Sequence, residues 1–262
     1  MSLLQSMLLL MLAGPADGER IALTTGQLFI PKTIDVNAQS VDLWIHLHGT
    51  PTVTEPNFAK LRRQAILATI TLPGLSSTYA NHFKDPDQFH RLLEEMVFAL
   101  QKRQLPHRWR HVVVSSFSAG YGGVRELLKS PANFRRIDAL ILSDTIYAGY
   151  QPGSLRDVQV EHMADFLRFA RAAAAGEKHM LLTHCRLQPN GYAGTHETAD
   201  YLIARLHGER ETPKAPWPVE GMTLESQFKR KQLSIFSFAG STGEDHMKHL
   251  RNIGEIWRLA PE

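Results

Sequence analysis

Ser118 lies in the run HVVVSSFSAGYGGVRELL, residues 111–128. The β-branched Val112, Val113 and Val114 predict a strand, and from about Gly122 the pattern becomes helical. Between the two, Ser116-Phe117-Ser118-Ala119-Gly120 places a serine between small residues at −2 and +2, the pattern of a nucleophile elbow. A strand-to-helix turn this tight needs small flanks, because larger side chains would collide with neighbouring backbone. It lifts the hydroxyl above the sheet and aims the next amides at the same place. The usual form is G-x-S-x-G, and here Ser116 stands for the first glycine. A five-residue pattern arises often by chance, so its weight comes from the strand before it and the helix after it.

A serine hydroxyl is a poor nucleophile at neutral pH. It needs an imidazole to take its proton and a carboxylate to orient that imidazole. It also needs amides aimed at the oxyanion that forms on an attacked carbonyl. The chain has 13 histidines, so position discriminates among them better than presence. His246 sits in the turn that opens the closing helix, 244–258, after the last predicted strand, 232–238. His249 lies one helical turn further on and is expected to point along that helix. Among carboxylates, Asp144 ends the strand predicted at 137–143, and Glu197 and Asp245 are alternatives. The competing use of Asp144 is to cap the turn that follows it. Thr195, in the loop 190–197, reads as a helix N-cap at least as readily as a substrate contact. His184 and His196, with Asp144, would form the alternative of a metal site, although no fixed-spacing signature accompanies them.

The elements that must position these groups follow from periodicity. Strands are expected at 41–48, 65–72, 111–116, 137–143, 179–183 and 232–238, with one or two β segments at 20–34 turning at Gly26. Helices are expected at 87–104, from about 122 to Pro131, at 158–175 with Gly176 as C-cap, at 195–206 and at 244–258. Thr212–Pro218 reads as a loop. This alternation predicts a three-layer α/β/α sandwich with a mostly parallel sheet covered on both faces. No repeat or linker divides residues 19–262, which read as a single domain without an obvious cap domain; 73–86 and 145–157 are candidates for a modest rim. Reactive groups in such sheets gather at the carboxyl ends of the strands. His48-Gly49, Ser118, Asp144, His184 and the loop before His246 all fall just past predicted strand ends.

At this point the chain resembles the α/β-hydrolase superfamily over roughly residues 20–260. The matched pieces are His46-Leu47-His48-Gly49-Thr50, the elbow, Asp144, and Gly243-Glu244-Asp245-His246, in the order serine, acid, histidine. The resemblance implies hydrolysis of an ester or related acyl bond through an acyl-serine intermediate, without a cofactor or metal. It implies Ser118 as nucleophile, His246 as base, and the Ala119 and Thr50 amides as oxyanion hole; Pro51 has no N–H to offer. The acid usually follows the next strand, which here ends Leu182-Thr183-His184 without a carboxylate. Some members carry it where Asp144 stands. His48, Phe117, Tyr121 and Tyr147 are expected substrate-binding residues for a small ester or acyl compound. Acyl transfer by the same residues and a catalytically inactive scaffold are the rival readings.

The composition, 43% hydrophobic and 21% charged with a formal charge of +3, is that of a globular chain of 262 residues. Basic residues form no stripe interleaved with aromatics, so nucleic acid is not an expected partner. Lys229-Arg230-Lys231 reads as a solvated hairpin or loop. The single cysteine, Cys185, excludes an intramolecular disulfide and reads as a small buried side chain. The apolar segment Leu3–Ala13 is too short to span a membrane but has the length of a signal-peptide core, followed by small residues at Gly14-Pro15-Ala16. The expectation is export to the periplasm or exterior; retention of the segment as a packed N-terminal helix, in a cytoplasmic protein, is the alternative. The oligomeric state is not legible.

Overall fold

The computed structural model describes residues 16–260 apart from 155, 218 and 220; residues 1–15 of the expected signal segment 1–18, and with them the export reading, lie outside these. Strands β1 (Gly18–Ala22) and β2 (Gln27–Pro31) form a hairpin. Gly26 turns it at φ +88°, where an added Cβ would also meet the Thr69 carbonyl oxygen at 2.3 Å. Next come β3 (Val41–Leu47), α1 (Pro51–Ala59), β4 (Ala65–Ile70), α2 (Ser76–Phe83), α3 (Gln88–Gln101) and β5 (Trp109–Phe117). After β5 the chain passes through one 3₁₀ turn, Ser118–Gly120, into α4 (Tyr121–Lys129) and α5 (Pro131–Arg136). The remainder is β6 (Ala139–Ser143), α6 (Val160–Ala175), β7 (His179–His184), α7 (Thr195–Arg205), β8 (Leu224–Arg230), β9 (Leu233–Phe238), α8 (Gly243–Arg251) and α9 (Ile253–Trp257).

The nine strands form one sheet in the order β1-β2-β4-β3-β5-β6-β7-β9-β8. All pairings from β4 to β9 are parallel, and the antiparallel ones lie at the two ends of the sheet. Successive residues of the parallel strands serve opposite faces, as the two-residue strand period requires. Leu43, Ile45 and Leu47 of β3 join the core under α2, α3, α4, α6 and α7. Trp44, from the same strand, joins the core under α1, α8 and α9, where it meets Phe58 and Trp257 edge to face. Both faces are dry, so the strands read as continuous apolar runs. The result is a three-layer α/β/α sandwich with a mostly parallel sheet, the architecture that the α/β-hydrolase resemblance implies.

Four elements escape the sequence reading: α1, α2, α5 and β8. The expected closing helix is also broken at Asn252. α1 carries Pro51 at its first turn and Pro56 inside it, and α2 is polar except for Leu75 before it and Tyr79 and Phe83 on its inner face. β8 is an antiparallel edge strand rich in charged and polar residues. The Lys229-Arg230-Lys231 triplet forms the end of its hairpin with β9, with Lys231 at φ +49°.

Candidate active site

Ser118 has φ +45°, and Asp144 and His48 have φ +46° and +68°. Each stands immediately beyond a parallel strand or one residue further, at the carboxyl edge of the sheet. Left-handed backbone is disfavoured for residues with a Cβ and is held only where surrounding structure enforces it. At the elbow the enforcement is visible. A Cβ on Gly120 would lie 2.5 Å from the Leu47 carbonyl oxygen and 2.5 Å from Ser116 Oγ. The −2 and +2 positions therefore press on each other, and neither has room for a large side chain. The serine that replaces the usual first glycine has its own function in the turn. Ser116 Oγ lies 2.8 Å from Thr145 Oγ1, and Thr145 donates at 2.7 Å to the Ser118 carbonyl oxygen. The hydroxyl pair ties the elbow to the residue after Asp144. A second close approach positions the helix that follows: a Cβ on Gly122 would stand 2.1 Å from the Ser76 carbonyl oxygen, so α2 and α4 touch backbone to backbone.

His246, in the first turn of α8, places Nδ1 2.7 Å from Asp144 Oδ2. Asp144 is completely buried, while the His246 side chain keeps 12% of its surface exposed. The carboxylate accepts three further donors. Cys185 Sγ donates to Oδ2 at 3.0 Å, the Cys185 amide donates to Oδ1 at 3.2 Å, and the Thr195 hydroxyl donates to Oδ1. Burial pushes the Asp144 carboxyl up, but the adjacent His249 and His246 imidazoles, the His246 hydrogen bond and the Cys185 thiol outweigh it, and the net displacement is downward. An ionised carboxylate only accepts hydrogen bonds, so Nδ1 of His246 carries its proton toward Asp144 and Nε2 is left as the basic nitrogen.

The rival carboxylates are occupied elsewhere. Asp245 caps α8, accepting from the Thr242 amide at 3.0 Å and from Lys248 Nζ at 2.8 Å. Glu197 accepts from Tyr150, Gln188 and the Gly194 amide. Thr195 is neither an N-cap nor a cleft residue: it is the first residue of α7, and its hydroxyl serves Asp144. Cys185 is buried as expected, but its thiol also has a hydrogen-bonding task that the sequence did not disclose.

The alternative metal set is not brought together. His184 Nε2 faces the Arg210 guanidinium at 3.1 Å, and its Nδ1 faces the Cys185 carbonyl. Asp144, Cys185 and His249 do gather, with potential ligand atoms within 4.8 Å of one another. There, however, burial first, and then the Asp144 carboxylate, push the Cys185 thiol up. In this arrangement the thiol donates to the Asp144 carboxylate.

Ser118, Ala119, Tyr121, Tyr147 and His246 line one cleft of about 470 Å³. Leu75 and Ser76, at the start of α2, and Tyr147–Gly149 form part of its wall, so both segments expected to make a rim contribute to it. Phe117, His48 and Thr50 do not line the cleft. Phe117 is buried between the two imidazoles, its ring centroid 4.5 Å from that of His246 and 6.2 Å from that of His48. His48 Nδ1 lies 3.2 Å from the buried Tyr79 hydroxyl, and burial, then His246, lower the affinity of His48 for a proton. Thr50 is the residue before α1, and its carbonyl accepts from the Val53 and Thr54 amides. Phe117 is thus packed against the His246 and His48 rings, and His48 is half-buried beside Tyr79. Tyr147 is half of a chain of rings, with centroids 5.4 Å from Tyr121 and 5.8 Å from Tyr192.

No protein-family model and no curated protein matches the sequence. Solved structures similar to this chain include a feruloyl esterase module from Clostridium thermocellum, at 10% identity and a TM-score of 0.48 over 95% of this chain and 92% of that one. TT1662 from Thermus thermophilus is 20% identical with a TM-score of 0.43, over 93% and 99% of the two chains. Carboxylesterase CesB from Bacillus subtilis is 10% identical with a TM-score of 0.43, over 97% and 95%. These likenesses are too remote to assign an activity, a substrate or a role to any residue of this chain.

Proposed function

We propose that this chain is a serine hydrolase that cleaves an ester or related acyl bond through an acyl-Ser118 intermediate. The observation that carries the reading is the 2.7 Å bond from His246 Nδ1 to a buried, fully hydrogen-bonded Asp144, with His246 and Ser118 opening into the same cleft. In this scheme Ser118 Oγ attacks the substrate carbonyl carbon and its proton passes to His246 Nε2. Asp144 stabilises the imidazolium that results without accepting its proton. The Ala119 amide, from a residue that lines the cleft, serves as a donor to the oxyanion. The C–O bond of the leaving alcohol then breaks as His246 returns the proton to it. A water molecule deprotonated by His246 attacks the acyl-serine, and collapse releases the acid and restores Ser118.

A panel of 4-nitrophenyl esters of increasing acyl length, assayed on wild type and Ser118→Ala, tests the reading. Hydrolysis of at least one ester by wild type, lost in Ser118→Ala, is expected. Equal rates in the two proteins would contradict it.

A further inference from the structure

The walls of the Ser118 cleft are hydroxyl groups, tyrosine rings, imidazoles and aliphatic side chains, with one fixed charge among them, the Arg125 guanidinium. Among the described residues no carboxylate lines the cleft, and the Asp144 side chain beneath it has no exposed surface. Arg125 is one turn after Tyr121 on α4, so the two share a helix face. Helical side chains lean toward the N-terminus, which here is the Ser118 end. Arg125 follows that rule, with its guanidinium carbon 5.5 Å from the Tyr121 ring centroid. The ring holds the planar group without neutralising it. The one acid of this helix, Glu126, pairs with Lys129. Among the described residues no carboxylate pairs with Arg125, whereas Arg20, Arg110 and Arg210 each face one.

His162, on the same wall, adds a directed donor. The Gly149 amide donates to its Nδ1 at 2.9 Å, so the ring proton sits on Nε2. Burial, and then Arg125 itself, keep this imidazole in its neutral form. The lining therefore offers a planar fork of N–H donors with a full positive charge, and a further N–H from His162. That is the complement of a carboxylate, and a guanidinium recognises a carboxylate through two parallel hydrogen bonds.

We propose that the cleft selects acyl compounds that carry a carboxylate, held by Arg125 against Tyr121 with the His162 Nε2–H beside it, while the scissile carbonyl lies at Ser118. This rests on the serine-hydrolase reading for the reaction, but the anion site stands on its own geometry. The cleft volume of about 470 Å³ suits a small substrate such as a half-ester of a dicarboxylic acid.

Binding tests the site without turnover. Ser118→Ala protein is titrated by calorimetry with mono-4-nitrophenyl glutarate and with neutral 4-nitrophenyl butyrate. The anionic ester is expected to bind at least about tenfold tighter. In Ser118→Ala/Arg125→Gln that preference is expected to fall by about tenfold or more, and Arg125→Lys in the same background is expected to keep part of it, because the charge remains and the fork does not. Equal affinity of Ser118→Ala for the two esters, or an unchanged preference in the folded Arg125→Gln variant, overturns the proposal. Loss of the serine-hydrolase reading has a different signature: wild type would turn over neither ester while the binding preference persisted.

Discussion

His246 Nδ1 and Asp144 Oδ2 lie 2.7 Å apart although 102 residues separate them in the chain. The sheet brings them together. Asp144 follows β6, His246 follows β9, and β7 is the single strand between these two, so both residues reach the same edge from neighbouring loops. This relationship distinguishes Asp144 from the other acids near His246, and it leads directly to a mutational contrast.

Asp144→Asn is expected to lower kcat by about two to four orders of magnitude, by removing the charge that stabilises the imidazolium and disturbing the tautomer of His246. Asp245→Asn removes a helix cap and is expected to lower stability by about 1 kcal/mol with little change in kcat. Steady-state kinetics of the two variants on one ester checks this. Comparable losses would move the acid elsewhere.

The elbow was legible because β-branched residues, a serine with small flanks and a helical pattern occur in immediate succession. Asp144 and His246 were legible because strand ends could be placed from apolar runs. Phe117 and His48 were read as substrate contacts, and neither lines the cleft. Alternation along a strand does not say whether a residue at its end turns outward or, as Phe117 does, inserts between two rings. The Cys185 and Thr195 donors to Asp144 were invisible for a related reason: they arrive 41 and 51 residues later in the chain, and only the β6–β7 register and the start of α7 aim them. The missed helix α1 carries two prolines, and the missed strand β8 is a polar edge, so each lacks the apolar periodicity by which elements are recognised.

Thr195→Val keeps the shape of the residue and removes its donor to Asp144. The carboxylate would retain its other partners, so the expected result is a loss of stability of about 1–3 kcal/mol, with a decrease in kcat larger than any change in KM. Urea denaturation and steady-state kinetics check it. A variant with wild-type stability and kcat would remove Thr195 from the support of the acid.

Gly120→Ala probes the elbow itself. The new Cβ would press on the Leu47 carbonyl and on Ser116 Oγ. The expected outcome is a destabilisation of about 1–3 kcal/mol, as for other overpacking substitutions, together with a loss of Ser118 reactivity. Thermal denaturation and active-serine labelling of the same preparation check both parts.

Acid sensitivity follows from three buried imidazoles. Burial is the main cause that lowers His46 to about 3, His184 to about 3 and His249 to about 4. In the unfolded chain each takes up a proton near pH ~6.5, whereas the folded protein does not until the lower values. Their contribution to stability is therefore complete above pH ~6.5 and is lost as the pH falls toward about 4, by up to about 1.4 kcal/mol per pH unit for each imidazole. The depressed Asp144 carboxyl adds a loss only below pH ~4. Denaturant titrations between pH 7.5 and 4.5 check the slope. His46→Asn, which retains a partner for Ser115 Oγ, is expected to flatten it; an unchanged slope would contradict the assignment.

The most direct test of the central claim is labelling of the intact protein with a fluorophosphonate, followed by mass spectrometry of its peptides. The account predicts one phosphonyl group per chain, on Ser118, abolished in Ser118→Ala and strongly slowed in Asp144→Asn. Absence of label on Ser118 in a folded wild-type protein, or equal labelling in Ser118→Ala, would contradict it.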